Sequence, residues 1–438
     1  YTATDAHGPV MALAICDVDG DGALDLFEGR EYRRYGVLAH CGVDRLWKGD
    51  GAGGFADATA AAGLLTVPEP GRDDSSRPTY GVTHADVDGD GDQDLLALSY
   101  GRQWNRQWRN DGAGRFVDVG RETMFAGDAI QHGRYPEWLH ELYRKRGQTR
   151  ADEAPFRANG NTFDCAVGDV DGDGDLDLLL GEITHAWAGE SSDLSALLVN
   201  QGRGFLRRSV DVLLPPRPRR DERNWNNGDL HVAMADFDLD GHMDLVIASG
   251  DYPDGQFLRL YMQAEDGSFR DATEEAGLVW EGCGGLSLGD MDRDGDVDIL
   301  VGRSFMRLDQ EHRDRHMGGL AVNHVGVLRN RIGDRSGNHW ANVRLVGRGA
   351  DGANRSGIGA RVEITAGGRT WIREIRCGSG LANHQDPPEA CFGLGRAARI
   401  ERRVVRWNDA ARSVDIHEDL PVDRFIVVTQ GAEAPDVD

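Results

Sequence analysis

Five stretches of the chain share one carboxylate pattern, D-x-D-x-D-G-x-x-D running into apolar residues. Positions 1, 3, 5 and 9 are Asp17, Asp19, Asp21 and Asp25 in the first; Asp86, Asp88, Asp90 and Asp94 in the second; Asp169, Asp171, Asp173 and Asp177 in the third. The fourth has Asp236, Asp238, Asp240 and Asp244, and the fifth Asp290, Asp292, Asp294 and Asp298. Carboxylates this close repel one another, and without a counter-charge their pKa values would rise. A glycine at position 6 permits a tight curl that turns positions 1, 3 and 5 toward one centre. The backbone carbonyl of position 7 (Ala23, Asp92, Asp175, His242 or Asp296) and the carboxylate of position 9 complete an oxygen cage. This is the ligand logic of an EF-hand loop with the closing acid moved in from position 12 to position 9. Hard, charged oxygen ligands favour Ca²⁺; Mg²⁺ demands a tighter octahedron, and zinc prefers His or Cys. About five structural calcium ions are therefore expected, one per loop, with the side chains of Asp92, Asp175, Asp296 and His242 turned to water.

Such loops need strands to hold them. The first aspartates lie 54 to 83 residues apart, an interval that suits one propeller blade. A second signature follows each loop: "RLWKGDGAGGF", "RQWRNDGAGRF", "ALLVNQGRGF", "RLYMQAEDGSF" and, degenerate, "GVLRNRIGD". Each reads as a short strand and an Asn/Asp/Gly turn, with an aromatic residue after it in four cases, which is hairpin chemistry. Two hairpins per unit, repeated, predict an all-β propeller of four-stranded blades: five visible, and up to seven if degenerate units are hidden. Residues 338–432 also read as all-β, with Gly367 and Gly368 at a hairpin turn, and predict a small sandwich or barrel.

The composition narrows the function. At 438 residues the chain is long enough for two or three domains, and its net charge of −25 argues against a nucleic-acid partner. The twenty aspartates at positions 1, 3, 5 and 9 account for most of that charge. No apolar run is long enough to span a bilayer. Six cysteines (Cys16, Cys41, Cys165, Cys283, Cys377 and Cys391) include no C-x-x-C pair and make neither a disulfide scaffold nor a zinc site. The chain begins at Tyr1 rather than Met, so removal of an upstream segment is expected.

The acidic loops with their N-x-G-x-F turns resemble the FG-GAP/VCBS repeats of integrin-like β-propellers. "NHWANVRLVGRGADGANRSGIGARVEITAGGRTWIREIRCGSG" (Asn338–Gly380) and "CFGLG" (Cys391–Gly395) resemble the ASPIC/UnbV domain, which follows such a propeller in cartilage acidic protein-like and UnbV proteins. The resemblance implies a propeller over residues 1–335 and a β-domain over 336–438. It departs from the family pattern at Cys391, where His is common, at Cys377, where Ser is common, and at "WNDA" (Trp407–Ala410), which lacks the usual glycine. Cys377 and Cys391 could form a disulfide; two buried thiols are the alternative.

Three insertions interrupt the repeat: residues 120–160, with a helix expected from Pro136 and an apolar stripe of Trp138, Leu139 and Leu142; residues 212–229; and residues 304–318. If the strand entering each acidic loop is innermost, Asp164, Asp229, His231 and Glu281 could gather at a channel mouth for acid–base chemistry, although a channel mouth is also polar simply because it is wet. "CGSG" (Cys377–Gly380) lacks the frame of a nucleophile elbow, and no phosphate-binding loop appears. The reading favoured by these residues is a secreted or periplasmic, calcium-stabilised binding or adhesion protein. It would recognise a protein, glycan or small molecule through its loop face. The alternative is an UnbV-like, cytoplasmic enzyme of natural-product biosynthesis, with Trp138, Trp225 and His231 lining a pocket for a large aromatic polyketide.

Overall fold

The computed structural model describes residues 8–37, 40–65, 76–153, 159–209, 226–250, 257–278, 280–303, 324–381 and 384–438. Strands dominate it. The acidic repeats fold into antiparallel units. The first contains β1 (Val10–Cys16), β2 (Asp25–Arg30), β3 (Arg45–Gly49) and β4 (Phe55–Asp57), hydrogen-bonded in that order. The second contains β5 (Thr79–Ala85), β6 (Asp94–Ser99), β7 (Arg106–Asn110) and β8 (Phe116–Asp118). The third and fourth, β9 (Thr162–Gly168), β10 (Asp177–His185), β11 (Ala196–Asn200) and β12 (Leu206–Ser209), then β13 (Asn226–Ala235), β14 (Asp244–Ser249), β15 (Leu258–Gln263) and β16 (Phe269–Asp271), merge into one eight-stranded sheet. They merge because β10 overruns its unit and pairs through Ile183–His185 with the start of β13. The fifth unit has three strands among the described residues, β17 (Cys283–Gly289), β18 (Asp298–Arg303) and β19 (His324–Leu328). Its degenerate turn runs into a single helical turn, Gly333–Ser336, rather than a second hairpin, so four strands per unit does not hold here.

In every unit the acidic loop joins the first strand to the second, and the first strand is an edge except in the fourth, where the start of β13 also pairs with β10. The first strands pack against one another in succession, β1 on β5, β5 on β9, β9 on β13 and β13 on β17. Each carries a bulge about five residues before its first aspartate, at Ala12, Gly81, Asp164, His231 and Gly285. A bulge re-aims a side chain that regular pleating would bury in the sheet. Between neighbouring units lie apolar layers: Leu96, Leu98, Cys165, Leu178 and Leu180 form one, and Leu179, Leu197, Val232, Leu245 and Ile247 another. These strands read as apolar runs because both of their faces are covered.

Beyond the repeats, β20 (His339–Val346), β21 (Arg361–Ala366), β22 (Arg369–Glu374), β23 (Glu389–Gly395), β24 (Ile400–Arg406), β25 (Val414–Leu420), β26 (Arg424–Thr429) and β27 (Asp436–Val437) form two sheets, ordered β23-β20-β26-β27 and β22-β21-β24-β25. Their core is continuous with that of the first two units: Val343, Ile364, Val405 and Val428 belong to one cluster with Ala14, Phe27, Val82 and Leu95. The insertion helix α1 (Glu137–Lys145) starts after Pro136 as expected, and buries Leu139 with Tyr135 and Ala188, flanked by Trp138, Leu142 and Trp187. The insertions at 212–225 and 304–318, with Trp225, lie outside the described residues. All six cysteines are free thiols, so Cys377 and Cys391 are not bridged.

Candidate metal centres

The first aspartate of each loop accepts a hydrogen bond from the N–H of the position-6 glycine, at 2.8 Å in Asp17–Gly22, 2.9 Å in Asp86–Gly91, 3.2 Å in Asp169–Gly174, 2.8 Å in Asp236–Gly241 and 2.9 Å in Asp290–Gly295. Those glycines have φ between 83° and 99°, the left-handed curl the pattern required. Position 4 is left-handed too, and Leu239 and Arg293 accept the strain there without being glycine. The position-9 aspartate, buried at the start of the second strand, reaches across to the end of the third. Asp25, Asp94, Asp177, Asp244 and Asp298 accept from the N–H groups of Gly49, Asn110, Asn200, Gln263 and Asn330 at 2.7–2.9 Å. It therefore ties the two hairpins of a unit together.

In four loops, ligand atoms of three aspartates lie within 4.8 Å of one another: Asp17, Asp19 and Asp25; Asp86, Asp88 and Asp90; Asp169, Asp171 and Asp177; Asp236, Asp238 and Asp244. Burial, then repulsion between these carboxylates, raises Asp17, Asp86, Asp177 and Asp236 to about 7. Asp19 Oδ1, Asp86 Oδ1, Asp88 Oδ1 and Asp94 Oδ2 are buried with no hydrogen-bond partner. Buried, unpartnered, mutually repelling oxygens fit a missing cation, and oxygen-only donors fit a hard one. The first and fifth loops carry a protein cation as well. The Lys48 ammonium pairs with Asp19 and lies 3.7 Å from Asp25 and 3.8 Å from Asp21. Arg329 pairs with Asp292 at 2.5 Å and Asp294 at 2.7 Å.

The position-7 side chains do not all turn to water. Asp92 pairs with Arg412, His242 lies 3.2 Å from an Arg369 nitrogen, and buried Asp296 accepts from the Asp334 N–H at 3.2 Å. For Asp92 and His242 the cause is the C-terminal β-domain, which reaches all five loops; in the third, a Cβ on Gly172 would lie 3.7 Å from Arg369 and one on Gly174 3.7 Å from Arg361. A Cβ on Gly22 would meet the Gly349 carbonyl at 2.4 Å, one on Gly241 the Trp371 indole at 2.7 Å, and one on Gly295 the Trp340 indole at 1.9 Å. The Trp371 indole N–H donates to the Gly241 carbonyl at 2.8 Å. The second loop meets the same domain at Gly91, which approaches Arg412.

A further row of bonds links successive units. The Asn110 amide donates to the Val18 carbonyl (2.8 Å), Asn200 to Val87 (2.7 Å), Gln263 to Val170 (3.0 Å) and Asn330 to Phe237 (2.8 Å). Each reaches position 2 of the preceding unit's acidic loop. The residue in the same place in the first unit is Gly49. The sequence flagged these residues only as turn formers.

Four residues were expected at the channel mouth, and two of them meet. Asp164 on β9 and His231 on β13 approach at 3.7 Å (Oδ2 to Nδ1). Asp229 accepts instead from the Ser195 and Ser249 hydroxyls, each at 2.5 Å. Glu281 forms a bridge with Phe257. The missing partners come from the segment between β22 and β23. His384 Nε2 stands 3.0 Å from Asp164 Oδ2, with its ring 5.7 Å from that of His231 and edge-on to it. The Ser379 hydroxyl donates to Asp164 Oδ1 at 3.1 Å. This strap touches all five first strands. Ile15 N–H donates to the Cys377 carbonyl (3.1 Å), Gly380 N–H to Val82 (3.1 Å), and Leu288 N–H to Asp386 (2.7 Å), besides the contacts to Asp164 and His231. Burial works against ionisation of Asp164, but the two imidazoles prevail and hold it below the usual carboxylate range. His384 is likewise opposed by burial, and Asp164 lifts it to about 8. Beside the strap is a cavity of about 150 Å³, lined in part by Met234, Leu288, Arg376, Ser379 and His384. Trp138 belongs to the α1 cluster, apart from these residues.

Two family profiles match the chain: "ASPIC and UnbV" over residues 350–435 and "FG-GAP-like repeat" over residues 236–301. No curated protein sequence matches it. Among solved structures it is similar to an N-acetylgalactosamine deacetylase from F. plautii in complex with blood group B trisaccharide, at 10% identity over 69% of this chain and 82% of that one, with a TM-score of 0.33. It is also similar to the exotype rhamnogalacturonan lyase YesX, at 10% identity over 94% of this chain and 65% of that one, with a TM-score of 0.36. Neither activity transfers to this chain at such scores. The chain thus carries an FG-GAP-like repeat and, C-terminal to it, an ASPIC/UnbV domain.

Proposed function

We propose that the protein is a calcium-stabilised β-propeller whose five units are radial blades, capped on its acidic-loop face by the ASPIC/UnbV domain, and that it recognises its partner on the opposite face. The observation that carries the calcium reading is the set of aspartate triads with buried, unpartnered oxygens. The radial reading is supported by the succession of first strands and by one strap that touches all five.

Antiparallel order fixes where a partner can bind. First-to-second and third-to-fourth connections share one face, which the C-terminal domain covers. Second-to-third connections and the links between units share the other, and the described part of the 120–160 insertion, which follows β8, belongs there. On that face Tyr35 and Arg121 are exposed and rest on a layer of buried aromatic and arginine side chains that holds them rigid. Tyr80 stacks on Tyr100 with ring centroids 4.6 Å apart, exposed Tyr35 donates to or accepts from Tyr100 at 2.9 Å, and Arg77 and Arg121 lie 3.9 Å and 4.1 Å from the Trp104 ring centroid. Rigid aromatics beside arginines are the residues that dominate recognition surfaces. A catalytic role is the second reading, favoured by the enclosed His–Asp cluster beside its cavity.

Calorimetric titration of chelator-stripped protein tests the calcium reading. Calcium should bind at several sites and raise the melting temperature, while magnesium at equal concentration should do neither to a comparable extent. An unchanged melt at saturating calcium would overturn it.

A further inference from the structure

We infer that Asp164, His231 and His384 form a binding site for one divalent transition metal of the zinc class, a centre different in kind from the acidic loops and completed by the C-terminal strap. Ligand atoms of the three residues lie within 4.8 Å of one another. Two imidazoles and one carboxylate are a poor cage for calcium and a good one for zinc, cobalt, nickel or ferrous iron. The imidazoles attract the Asp164 carboxylate by charge, but their nitrogens are not spent on hydrogen bonds. His231 Nδ1 and both ring nitrogens of His384 are buried without a hydrogen-bond partner. His384 Nε2 is 3.0 Å from Asp164 Oδ2, within hydrogen-bonding distance, yet its ring is not aimed along that line. A buried structural pair would satisfy those nitrogens. His231 is 4% exposed, and the His384 side chain 9%.

The surroundings orient the carboxylate. Asp164 Oδ1 accepts from the Cys165 N–H (2.8 Å) and the Ser379 hydroxyl (3.1 Å), and Oδ2 from the Val232 N–H (3.0 Å). Bonds of this kind fix a ligand's direction and are characteristic of metal sites. The strap closes on the site only through Gly380, which has φ of 61° and where a Cβ would meet Asp164 Oδ1 at 2.1 Å. Three protein ligands leave a coordination position open, and the 150 Å³ cavity bordered by His384 and Ser379 gives it room for water or a small oxygen ligand.

The test uses the full chain, stripped with chelator and then reloaded with millimolar calcium so that the oxygen loops are filled. Titration with Co²⁺, followed by its visible ligand-field bands, should show about one site per chain that excess calcium does not displace and Zn²⁺ does. His231→Ala and His384→Ala should each abolish it, Ser379→Ala should weaken it by about 10- to 100-fold, and Asp236→Asn in an acidic loop should leave it intact. The inference is overturned if the wild-type protein takes up no cobalt in excess calcium, if a thiolate charge-transfer band shows cysteine ligation, or if a folded His384→Ala protein binds as tightly as the parent. The wild-type spectrum alone decides the matter should the variants fail to fold. The outcome is independent of whether the acidic loops hold calcium.

Discussion

Removing calcium should make stability depend on pH in a direction opposite to ordinary acid denaturation. In the metal-free fold, Asp17, Asp86, Asp177 and Asp236 are raised to about 7, chiefly by burial and then by neighbouring carboxylates. Unfolded, each titrates near 4. A carboxylate with a raised folded-state pKa holds more protons folded than unfolded across that window, so stability is highest below about 4 and falls as pH climbs to about 7. The loss is about 4 kcal/mol for each such loop at neutral pH. That is a large share of the 5–15 kcal/mol by which a typical domain is stable. Bound calcium supplies the charge that the protons otherwise would, and the dependence should vanish. Calorimetric melts at pH 5, 6, 7 and 8 of protein stripped beforehand, with and without excess calcium, make the measurement. The gap between the two melting temperatures should widen from pH 5 to about pH 7 and level off toward pH 8. Parallel curves, or a stripped protein that grows more stable toward pH 8, would refute the reasoning.

Three further outcomes are expected. Asn200→Ala removes amide bonds to Val87 and Leu176 from a fully buried site and leaves the Val87 carbonyl unpartnered, which should cost about 2–4 kcal/mol in denaturant unfolding and speed hydrogen exchange in the loop holding Asp86. Lys48→Ala withdraws an ammonium that competes with a divalent ion among Asp19, Asp21 and Asp25, so one calorimetric calcium site should tighten while the calcium-free protein melts lower. Gly380→Ala forces a Cβ against Asp164 in a left-handed conformation; beyond about 1–3 kcal/mol of strain, it should free the strap to limited proteolysis between β22 and β23.

The acidic loops were legible because every ligand lies within nine residues of its partners, and a cage that local can be read from spacing. The hairpin order of the first four units followed for the same reason. The fate of the position-7 side chains did not, because it depends on a domain 127 to 320 residues away in sequence: Arg412 finds Asp92, and Arg369 finds His242. His384 was invisible on similar grounds. Nothing near "NHQD" shows that it meets Asp164, 220 positions earlier, and of the aspartates that looked equivalent, Asp229 accepts from two serines while Asp164 faces two imidazoles and one serine. The fifth unit failed to complete a second hairpin because "NRIGD" lacks the G-x-F that starts a fourth strand in "NDGAGRF".

The backward reach of Asn110, Asn200, Gln263 and Asn330 gives the array a polarity. A carbonyl left open in one unit is quenched only when its successor arrives, so assembly during synthesis should proceed like a zip, each tooth waiting for the next. Gly49, at the matching place in the first unit, has no side chain to make that reach. The Asn408 amide then takes the Asp17 carbonyl while the strap grips Ile15 at one end of the series and Leu288 at the other. The β-domain and its strap thus act as the fastener, and a variant lacking them should remain an unlatched ribbon however much calcium is supplied.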